Sequence, residues 1–457
     1  MSVAPARRVA YDTIRAVTGS DAYANLLLPK SIARAGLSGP DAGLATELTY
    51  GTLRRMGTYD AIIAVAADRE PARIDPAVLD ALRLGAHQLL ATRVAAHAAV
   101  NETVELVASA TRGRGPVGFA NAVLRRISQA SFAEWMVRVT ELARSDDERL
   151  GLRSAHPVWV LRAFRRALAA EGRVDELDAL LDADNVSPRV TMVALPGLAD
   201  IPADAERAPY SPIAFRAPGG DPQPITEGSA GRLRVQDEGS QLAALALSRA
   251  RPVAAGERWL DLCAGPGGKS ALLAAEALAG GASLEANEPV PARAGLVRQA
   301  LAAVPLKVEV SEEDGRERAA NAPAAYDRIL VDAPCTGLGA LRRRPEARWR
   351  KQASDVRDLS ALQRELLADA LSAVKPGGIV AYVTCSPHLS ETAAVVADAI
   401  DAAGGAVQEL DARGVLQAVV REPLDLPVPT SGAGHAQLWP HRHGTDAMFI
   451  SLLQRVR

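Results

Sequence analysis

The sequence predicts a multidomain protein with an all-α N-terminal domain (residues 1–150), a small α+β connector (151–235) and a C-terminal α/β domain (236–457). Three observations predict this organisation. The chain has 457 residues, and a domain typically contains about 150. Apolar residues recur at helical spacing through the first third, whereas the second half alternates between strand-like and helix-like segments. Such alternation builds a mostly parallel sheet with helices on both faces.

The composition excludes several classes of protein. Hydrophobic residues make up 48% and charged residues 23%, the balance of a globular protein with a core. Apolar runs such as Ala61–Ala67 are far shorter than the roughly 18 residues of a membrane helix. No apolar signal-peptide stretch follows Arg7 and Arg8. The net charge of −2 predicts that any nucleic-acid affinity comes from a local patch.

The cysteine count indicates the compartment. The three cysteines, Cys263, Cys335 and Cys385, are an odd number in a long chain, which argues against a disulfide framework and for a reducing compartment. No pair has the two-residue spacing of a zinc or redox site, so no metal is expected. We therefore expect a cytoplasmic protein without a membrane partner, and we favour a monomer.

The N-terminal half predicts helices almost throughout. Apolar residues recur three and four positions apart over 78–90 and 104–124. Glycine and proline interrupt this pattern where helices should end, at residues 36–40, 57 and 113–118. Residues 188–235 are rich in proline and glycine and contain short β-like runs such as Arg189–Leu195, hence the α+β connector.

The C-terminal half predicts five strands and three intervening helices. The predicted strands are Arg258–Leu262, Ser283–Ala286, Leu306–Val310, Arg328–Val331 and Ile379–Thr384. The predicted helices are Lys269–Leu278, Ala292–Ala303 and Val356–Val374. In such sheets ligands bind beyond the carboxyl ends of the strands, so the residues that follow each strand are the functional candidates.

A glycine-rich turn, Asp261–Ser270, follows the first predicted strand and opens a helix. Glycines let the backbone approach a ligand, and a helix N-terminus aims N–H groups at it. The spacing excludes a P-loop, because Cys263 stands where the first glycine is required. It also excludes a dinucleotide fingerprint, because Ser270 replaces the third glycine. A turn without a ligand is the plain alternative.

Acidic residues follow the next three strands. Glu288 is placed to accept the hydroxyls of a ribose, Asp314 precedes a glycine, and Asp332 follows the fourth strand. Each acid alone is more often a helix cap or a solvated loop residue. Together with the glycine-rich turn, these acids occupy four consecutive strand ends, and four such ends in order predict a nucleoside-binding crevice. The absence of a phosphate-binding pattern favours S-adenosylmethionine over NAD or ATP.

Two cysteines, Cys335 and Cys385, also follow predicted strands. A lone cysteine is usually a small buried hydrophobe. Beside a methyl donor, however, a thiolate has a use: addition to carbon 6 of a pyrimidine makes carbon 5 nucleophilic enough to take a methyl group. Asp332 could hydrogen-bond the ring nitrogen and offset developing charge. A second thiol would help to take the adduct apart, but spacing alone does not rank the two cysteines.

A basic segment, residues 341–351, carries six cations with one acid and one tryptophan. Such a composition is typical of phosphate contacts combined with stacking on a base. The predicted RNA-binding residues are Arg342, Arg343, Arg344, Arg348 and Trp349. A solvated basic loop is the alternative.

These motifs resemble those of known families. The C-terminal half resembles the Nop/Sun family of RNA cytosine-carbon-5 methyltransferases through VQDEGSQ (235–241), DLCAGPGGKS (261–270), DAPCTGLG (332–339), RRRPEARW (342–349), KPGG (375–378), TCSPHLSET (384–392) and LWPHRHGTDAMF (438–449). The N-terminal half resembles the NusB-like RNA-binding helical domain through ELTYGTLRR (47–55), ALRLGAHQLL (81–90), AAVNETVEL (98–106) and FANAVLRRI (119–127). This pairing implies a Rossmann-like class I methyltransferase fold and methylation of a cytosine in small-subunit ribosomal RNA.

The resemblance also implies residue roles. It assigns S-adenosylmethionine binding to Cys263, Ala264, Gly265, Pro266, Gly267, Gly268, Lys269, Glu288, Asp314 and Asp332. It makes Cys385, of the Thr-Cys motif, the nucleophile, and gives Cys335, of the Pro-Cys motif, a part in product release. The chain departs from the family pattern at three places: Gly265 replaces a usual alanine, Glu288 a commoner aspartate, and Asp446-Ala447-Met448-Phe449 a usual Asp-Gly-Phe-Phe.

Two alternatives stay open. The same chemistry could act on another RNA, such as transfer RNA or a different ribosomal cytosine. The chain could instead be an RNA-binding or antitermination factor with an inactive methyltransferase-like domain. The presence of both cysteines, Asp332 and the glycine loop favours an active enzyme.

Overall fold

The computed structural model describes residues 3–20 and 22–457, which form two compact units. The first unit runs to Arg162 and includes Leu341–Lys351, and the second comprises Ala163–Ala340 and Gln352–Arg457. Within the described ranges, no helix is both long and apolar enough to cross a membrane.

Helices form the first unit and the beginning of the second. They are α1 (Pro5–Gly19), α2 (Ala24–Arg34), α3 (Gly39–Arg54), α4 (Met56–Ala67), α5 (Pro76–Ala91), α6 (Ala96–Ala110), α7 (Arg114–Ile127), α8 (Phe132–Glu141), α9 (Asp146–Ser154), α10 (Val158–Ala170) and α11 (Leu177–Asp184). The apolar positions at three- and four-residue spacing form one buried cluster, in which Leu82 of α5 and Leu124 of α7 are members. Asp75 starts α5 by accepting hydrogen bonds from the backbone N–H groups of Ala77 and Val78. The predicted all-α N-terminal domain is confirmed.

Strands and helices alternate through most of the remaining chain. They are β1 (Thr191–Ala194), β2 (Ala214–Arg216), α12 (Gln223–Gly228), β3 (Leu233–Val235), α13 (Glu238–Ser248), β4 (Arg258–Asp261), α14 (Gly268–Gly280), β5 (Ser283–Asn287), α15 (Pro291–Leu301), β6 (Glu309–Ser311), α16 (Gly315–Ala320), β7 (Tyr326–Asp332), α17 (Ala347–Arg350), α18 (Asp355–Ala373), β8 (Val374–Thr384), α19 (Ala393–Ala402), β9 (Val407–Leu410), α20 (Ala412–Val419), β10 (Ala436–Gln437), α21 (Pro440–His443) and β11 (Phe449–Arg455).

The large sheet of the second unit is mixed. Its strand order is β10-β11-β8-β7-β4-β5-β6, with β9 paired to β11. Strands β4 to β8 run parallel, whereas β11 runs antiparallel to β8 and pairs Phe449 with Thr384. The parallel part reverses its strand order between β4 and β7, the position where α/β sheets bind ligands. The predicted Rossmann-like sheet is confirmed, and the antiparallel strands at its edge extend it.

Two boundaries differ from the sequence prediction. Residues 163–235 of the predicted connector belong to the second unit, in which Val193 and Leu195 are buried in the same hydrophobic cluster as Leu242 and Trp259. A smaller cluster around Met192, Ala194 and Phe215 consists of connector residues alone. The third parallel strand is Glu309–Ser311 rather than Leu306–Val310, and the preceding Pro305 lacks the N–H that a ladder residue donates.

Candidate active site

The glycine-rich loop joins β4 to α14. Gly267 has a φ of 101°, in the region that favours glycine, and a Cβ there would lie 2.7 Å from the Cβ of Ala300. At the base of the loop, the hydroxyl of Ser270 donates a 2.6 Å hydrogen bond to the carboxylate of Asp261. Burial raises the pKa of Asp261 to about 7, although that hydrogen bond opposes the shift. The loop backbone therefore packs closely where any larger residue would not fit.

Glu288 lies beside this loop. Its carboxylate accepts hydrogen bonds from the backbone N–H groups of Gly265 at 3.2 Å and Val290 at 3.1 Å, and it lies 3.3 Å from the guanidinium of Arg293. Only 2% of the residue is exposed. The structure thus brings Glu288 to the loop, and its contact with a ribose stays a prediction.

Asp314, at the end of β6, is the N-cap of α16. Its carboxylate accepts a hydrogen bond from the backbone N–H of Arg316 and forms a 2.6 Å ion pair with the Arg316 side chain. These hydrogen bonds lower the pKa of Asp314 to about 2. The structure therefore gives Asp314 the helix-cap position that is common for an acid at a strand end, and its contact with the cofactor stays a prediction.

An ion pair links the glycine loop to the end of β7. The Nζ atom of Lys269 lies 2.9 Å from Oδ2 of Asp332. Burial lowers the pKa of Lys269, but the Asp332 carboxylate more than compensates, so that pKa is raised above its ordinary value. A cation and a carboxylate are thus held together where the strand order reverses.

The two cysteines of the neighbouring strand ends lie in contact. The sulfur atoms of Cys335, after β7, and Cys385, after β8, are 3.5 Å apart. The hydrogen bond between the thiols, together with burial, raises the pKa of Cys335 well above its ordinary value. Cys263, in the glycine loop, also has a pKa raised by burial. Two thiols in contact beside a nucleoside-type crevice can act on the same base in succession.

Sequence reasoning missed a buried carboxylate between the two cysteine loops. Glu391 accepts hydrogen bonds from the backbone N–H of Thr336 at 2.7 Å and from the hydroxyl of Ser386 at 2.7 Å. It belongs to the segment TCSPHLSET, in which only Cys385 receives a role from the sequence. An acid seven residues from the end of a strand gives no local signal of its tertiary partners.

Two residues of the basic segment, Arg348 and Trp349, donate hydrogen bonds to backbone carbonyl groups of the first unit. Arg348 is 0% exposed and donates hydrogen bonds to the carbonyl oxygens of Ala155 at 2.9 Å and Arg54 at 3.4 Å. The indole N–H of Trp349 donates to the carbonyl oxygen of Leu53 at 2.7 Å. These carbonyls belong to the C-terminal ends of α3 and α9, which lack partners within their helices and attract cations.

The RNA contacts of Arg342, Arg348 and Trp349 stay predictions, and the burial of the first two speaks against them. Arg342 and Arg348 are 7% and 0% exposed, and Trp349 is half-buried and hydrogen-bonded to the end of α3. Arg344 is exposed, with its guanidinium 5.7 Å from the ring centre of Tyr23, and Arg343 is partly exposed. For Arg343 and Arg344 the contact with RNA stays a prediction.

The C-terminal segment 446–449, which departs from the family pattern, packs against the loop that carries Cys335. The backbone N–H of Ala447 donates to the carbonyl oxygen of Gly339 at 2.9 Å, and a Cβ on Gly339 would overlap the Ala447 backbone. Gly339 in turn donates to the carbonyl oxygen of Cys385 at 2.8 Å. The segment thus supports the cysteine loops through its backbone, and Ala447 and Met448 are both buried.

The residues of the crevice fit S-adenosylmethionine. The backbone of the glycine loop, the N-terminus of α14 and the carboxylate of Glu288 lie together at the carboxyl ends of β4 and β5, next to the point where the strand order reverses. Residues 263–269 would hold the cofactor there. The glycines of this loop allow the close approach of backbone to a ligand.

Comparisons with known proteins agree with this arrangement. A family model described as 16S rRNA methyltransferase RsmB/F matches residues 251–454, and a NusB family model matches residues 4–129. A protein of Mycobacterium tuberculosis (strain ATCC 25618 / H37Rv) named "Putative methyltransferase" is 49% identical over 99% of this chain and 97% of its own length. The ribosomal RNA small subunit methyltransferase B of Pseudomonas putida is 31% identical, over 94% of this chain and 96% of its own.

Solved structures agree with the fold. The crystal structure of the protein PH0851 is similar with a TM-score of 0.83 at 21% identity, over 100% of both chains. A methyltransferase homolog protein from Pyrococcus horikoshii has a TM-score of 0.53 at 21% identity and covers 67% of this chain. The matches in sequence confirm the predicted cofactor, S-adenosylmethionine, and the broader activity of an RNA methyltransferase. The chain belongs to the RsmB/F family of 16S ribosomal RNA methyltransferases, with a NusB family domain preceding the methyltransferase domain.

Proposed function

We propose that this protein methylates carbon 5 of a cytosine in small-subunit ribosomal RNA through a covalent adduct between Cys385 and the base. The observation that carries the proposal is the 3.5 Å contact between the sulfurs of Cys335 and Cys385 at neighbouring strand ends. A reaction that needs one thiol to form an adduct and another to assist its breakdown requires such a pair. Relatives named ribosomal RNA small subunit methyltransferase B support the choice of RNA.

The first step is attack of the Cys385 thiolate on carbon 6 of the cytosine. A bond forms between sulfur and carbon 6, and the ring electrons move towards carbon 5 and the ring nitrogen. Asp332 would hydrogen-bond the ring, and Lys269, 2.9 Å from its carboxylate, would offset the negative charge that develops. When bound, S-adenosylmethionine supplies the electrophilic methyl group that carbon 5 accepts.

The last step returns the free enzyme. The proton on carbon 5 leaves to a base, the double bond between carbons 5 and 6 is restored, and the bond between Cys385 and carbon 6 breaks. Cys335 lies 3.5 Å from the departing sulfur and is assigned to this step. Exchange of the two thiols is the alternative within the same chemistry, as in enzymes that use a Pro-Cys nucleophile.

The first unit would select the RNA. This part of the proposal rests on the NusB family match over residues 4–129 and on the basic side chains of Arg343 and Arg344. Because ribosomal RNA is the substrate, the proposal includes a cytoplasmic location, as the cysteine content predicts.

The proposal is tested with the purified protein, S-adenosylmethionine and small-subunit ribosomal RNA, supplied either free or as the assembled subunit. Mass spectrometry of the digested RNA should detect 5-methylcytidine, and bisulfite sequencing should place it at one position. Transfer RNA is the matched control substrate. A methyl group on another atom, or 5-methylcytidine in transfer RNA only, would contradict the proposal.

A further inference from the structure

The carboxylate of Glu391 lies between the two loops that carry the cysteines. It belongs to a short helical turn, Leu389–Glu391, and is 0% exposed. One oxygen accepts from the backbone N–H of Thr336 at 2.7 Å, and the other accepts from the hydroxyl of Ser386 at 2.7 Å. Thr336 directly follows Cys335, and Ser386 directly follows Cys385. A single side chain therefore bridges the residues next to both thiols.

Further hydrogen bonds hold this bridge in place. The hydroxyl of Thr336 also donates to the carboxylate of Glu391. The side-chain amide of Gln363 donates to the carbonyl oxygen of Pro334 at 2.7 Å and lies 3.4 Å from the same carboxylate. The hydroxyl of Tyr382 donates to the backbone carbonyl oxygen of Glu391 at 2.7 Å. Burying a carboxylate is costly unless it is fully hydrogen-bonded, and here it accepts several bonds that all lead to the cysteine loops.

We propose that Glu391 is a positioning residue that sets the distance between the sulfurs of Cys335 and Cys385. The effect of Glu391 on methylation rests on the proposed function, whereas its effect on the distance between the two sulfurs does not. Without the carboxylate, the Thr336 N–H would lose its acceptor, and the hydroxyls of Thr336 and Ser386, 3.1 Å apart, would be left with each other as acceptors. The two loops would then lose the buried carboxylate that ties both of them. A displacement of about 1 Å between reacting groups typically costs on the order of a hundredfold in rate.

The two obvious substitutions differ in what they remove. Glu391→Gln keeps one acceptor oxygen for the Thr336 N–H, and its amide can donate to hydroxyls that rotate to accept. Glu391→Ala removes the bridge. Glu238→Ala is the matched control, because Glu238 is an equally buried carboxylate of the same unit that accepts from the backbone N–H groups of Tyr210 and Ser211 at 2.6 and 2.7 Å.

The geometric test uses the free protein and the oxidant diamide. Two thiols lose two protons and two electrons to diamide, which becomes the hydrazine, and the product is a disulfide between Cys335 and Cys385. Peptide mass mapping follows its rate of formation. Because a disulfide needs the sulfurs about 2.05 Å apart, the wild type, Glu391→Gln and Glu238→Ala should react at similar rates. Glu391→Ala should react at least about tenfold more slowly, as expected for lost orientation.

The catalytic test measures kcat for RNA methylation at saturating S-adenosylmethionine. Glu391→Ala should lose about a hundredfold and Glu391→Gln less than about threefold, while both remain stabilised by S-adenosylmethionine in thermal unfolding. Disulfide formation and methylation by Glu391→Ala within about threefold of the wild type would overturn the positioning role. If the wild type makes no 5-methylcytidine, the proposed function fails, and the disulfide rates still decide the geometric claim.

A second variant, Ser386→Ala, tests the proposal in case Glu391→Ala does not fold. Ser386→Ala removes the bond from the Cys385 loop to Glu391, and with it the contacts of the same hydroxyl with the Thr336 hydroxyl at 3.1 Å and the His388 N–H at 3.3 Å. If Glu391→Ala is unfolded, Ser386→Ala should form the disulfide at least about threefold more slowly than the wild type, because the Cys385 loop loses its side-chain hydrogen bonds to Glu391 and Thr336. A rate equal to that of the wild type would overturn the proposal.

Discussion

A Cβ added to Gly265 would overlap the carboxylate of Glu288 and would lie 2.8 Å from the guanidinium of Arg293. Gly265 and Glu288 both depart from the pattern of the resembled family, which usually has alanine at the first position and aspartate at the second. Glutamate is one methylene longer than aspartate, and its carboxylate occupies the space that an alanine side chain would need. The two departures are therefore complementary, and together they leave the loop backbone in place.

This complementarity predicts a coupled pair of substitutions. Gly265→Ala should destabilise the protein by about 1–3 kcal/mol, the usual cost of overpacking, and should weaken S-adenosylmethionine binding. Adding Glu288→Asp should restore most of both losses, because the shorter acid vacates the space. Thermal unfolding with and without S-adenosylmethionine measures both effects. Additive losses in the double variant would show that the two residues are independent.

Asp332→Asn should keep the fold and lower turnover sharply. The substitution removes the carboxylate that pairs with Lys269 at the point where the base is activated. Loss of one such electrostatic interaction typically costs about 3 kcal/mol, on the order of a hundredfold in rate. Asp327→Asn is the matched control, because Asp327 pairs with Lys375 at the opposite end of β7 at 2.7 Å. Turnover of Asp332→Asn within twofold of the wild type at saturating cofactor would rule out this role.

The basic segment should divide into structural and RNA-binding residues. Arg348→Ala removes the hydrogen bonds to two helix-end carbonyl groups and should lower the free energy of unfolding by about 1–3 kcal/mol for each. Arg344→Ala, at an exposed side chain, should leave stability unchanged and reduce the salt dependence of RNA affinity by about one slope unit. Unfolding midpoints and binding titrations at several salt concentrations separate the two effects. An unchanged slope for Arg344→Ala would make it a solvated surface residue.

Asp261 should make stability depend on pH. Its pKa rises from the ordinary 3.8 to about 7 on folding. Between these two values the folded protein holds a proton that the unfolded chain releases, so this contribution to stability falls as pH rises. Asp261→Asn removes the dependence. Relative to the wild type, the variant should gain about 1.4 kcal/mol of stability per pH unit across this window. Parallel stability curves for the two proteins would contradict the shift.

The sequence predicts the parts of this site that depend on local pattern. The glycine loop and the acids after β5, β6 and β7 follow from strand periodicity and from the rule that ligands bind at strand ends. Trp349 and Arg348 could not be predicted in the same way, since their charge and aromatic content suit an RNA surface as well as they suit the ends of helices. Their positions depend on carbonyl groups about 190 and 300 positions away in the chain, which no local pattern reports.

A local sequence pattern also could not predict the strands at the edge of the sheet or the Glu391 carboxylate that lies between the two cysteine loops. Strands β9 and β10 contain four and two residues, too short for a clear alternation of apolar and polar positions. Glu391 is an ordinary acid in a turn until Thr336, 55 positions earlier, folds against it. The contact between Cys335 and Cys385 was predictable only as a shared edge of the sheet, and their separate roles stay a prediction.

The most direct test of the proposed chemistry compares Cys385→Ala with Cys335→Ala on a denaturing gel, each incubated with substrate RNA and S-adenosylmethionine. If Cys385 is the nucleophile, Cys385→Ala forms no adduct and transfers no methyl group. If Cys335 acts in release, Cys335→Ala still attacks and methylates but remains bound to the RNA. A shifted protein–RNA band with Cys335→Ala and none with Cys385→Ala is the predicted result. A shifted band with Cys385→Ala alone would contradict the assignment and exchange the roles of the two thiols.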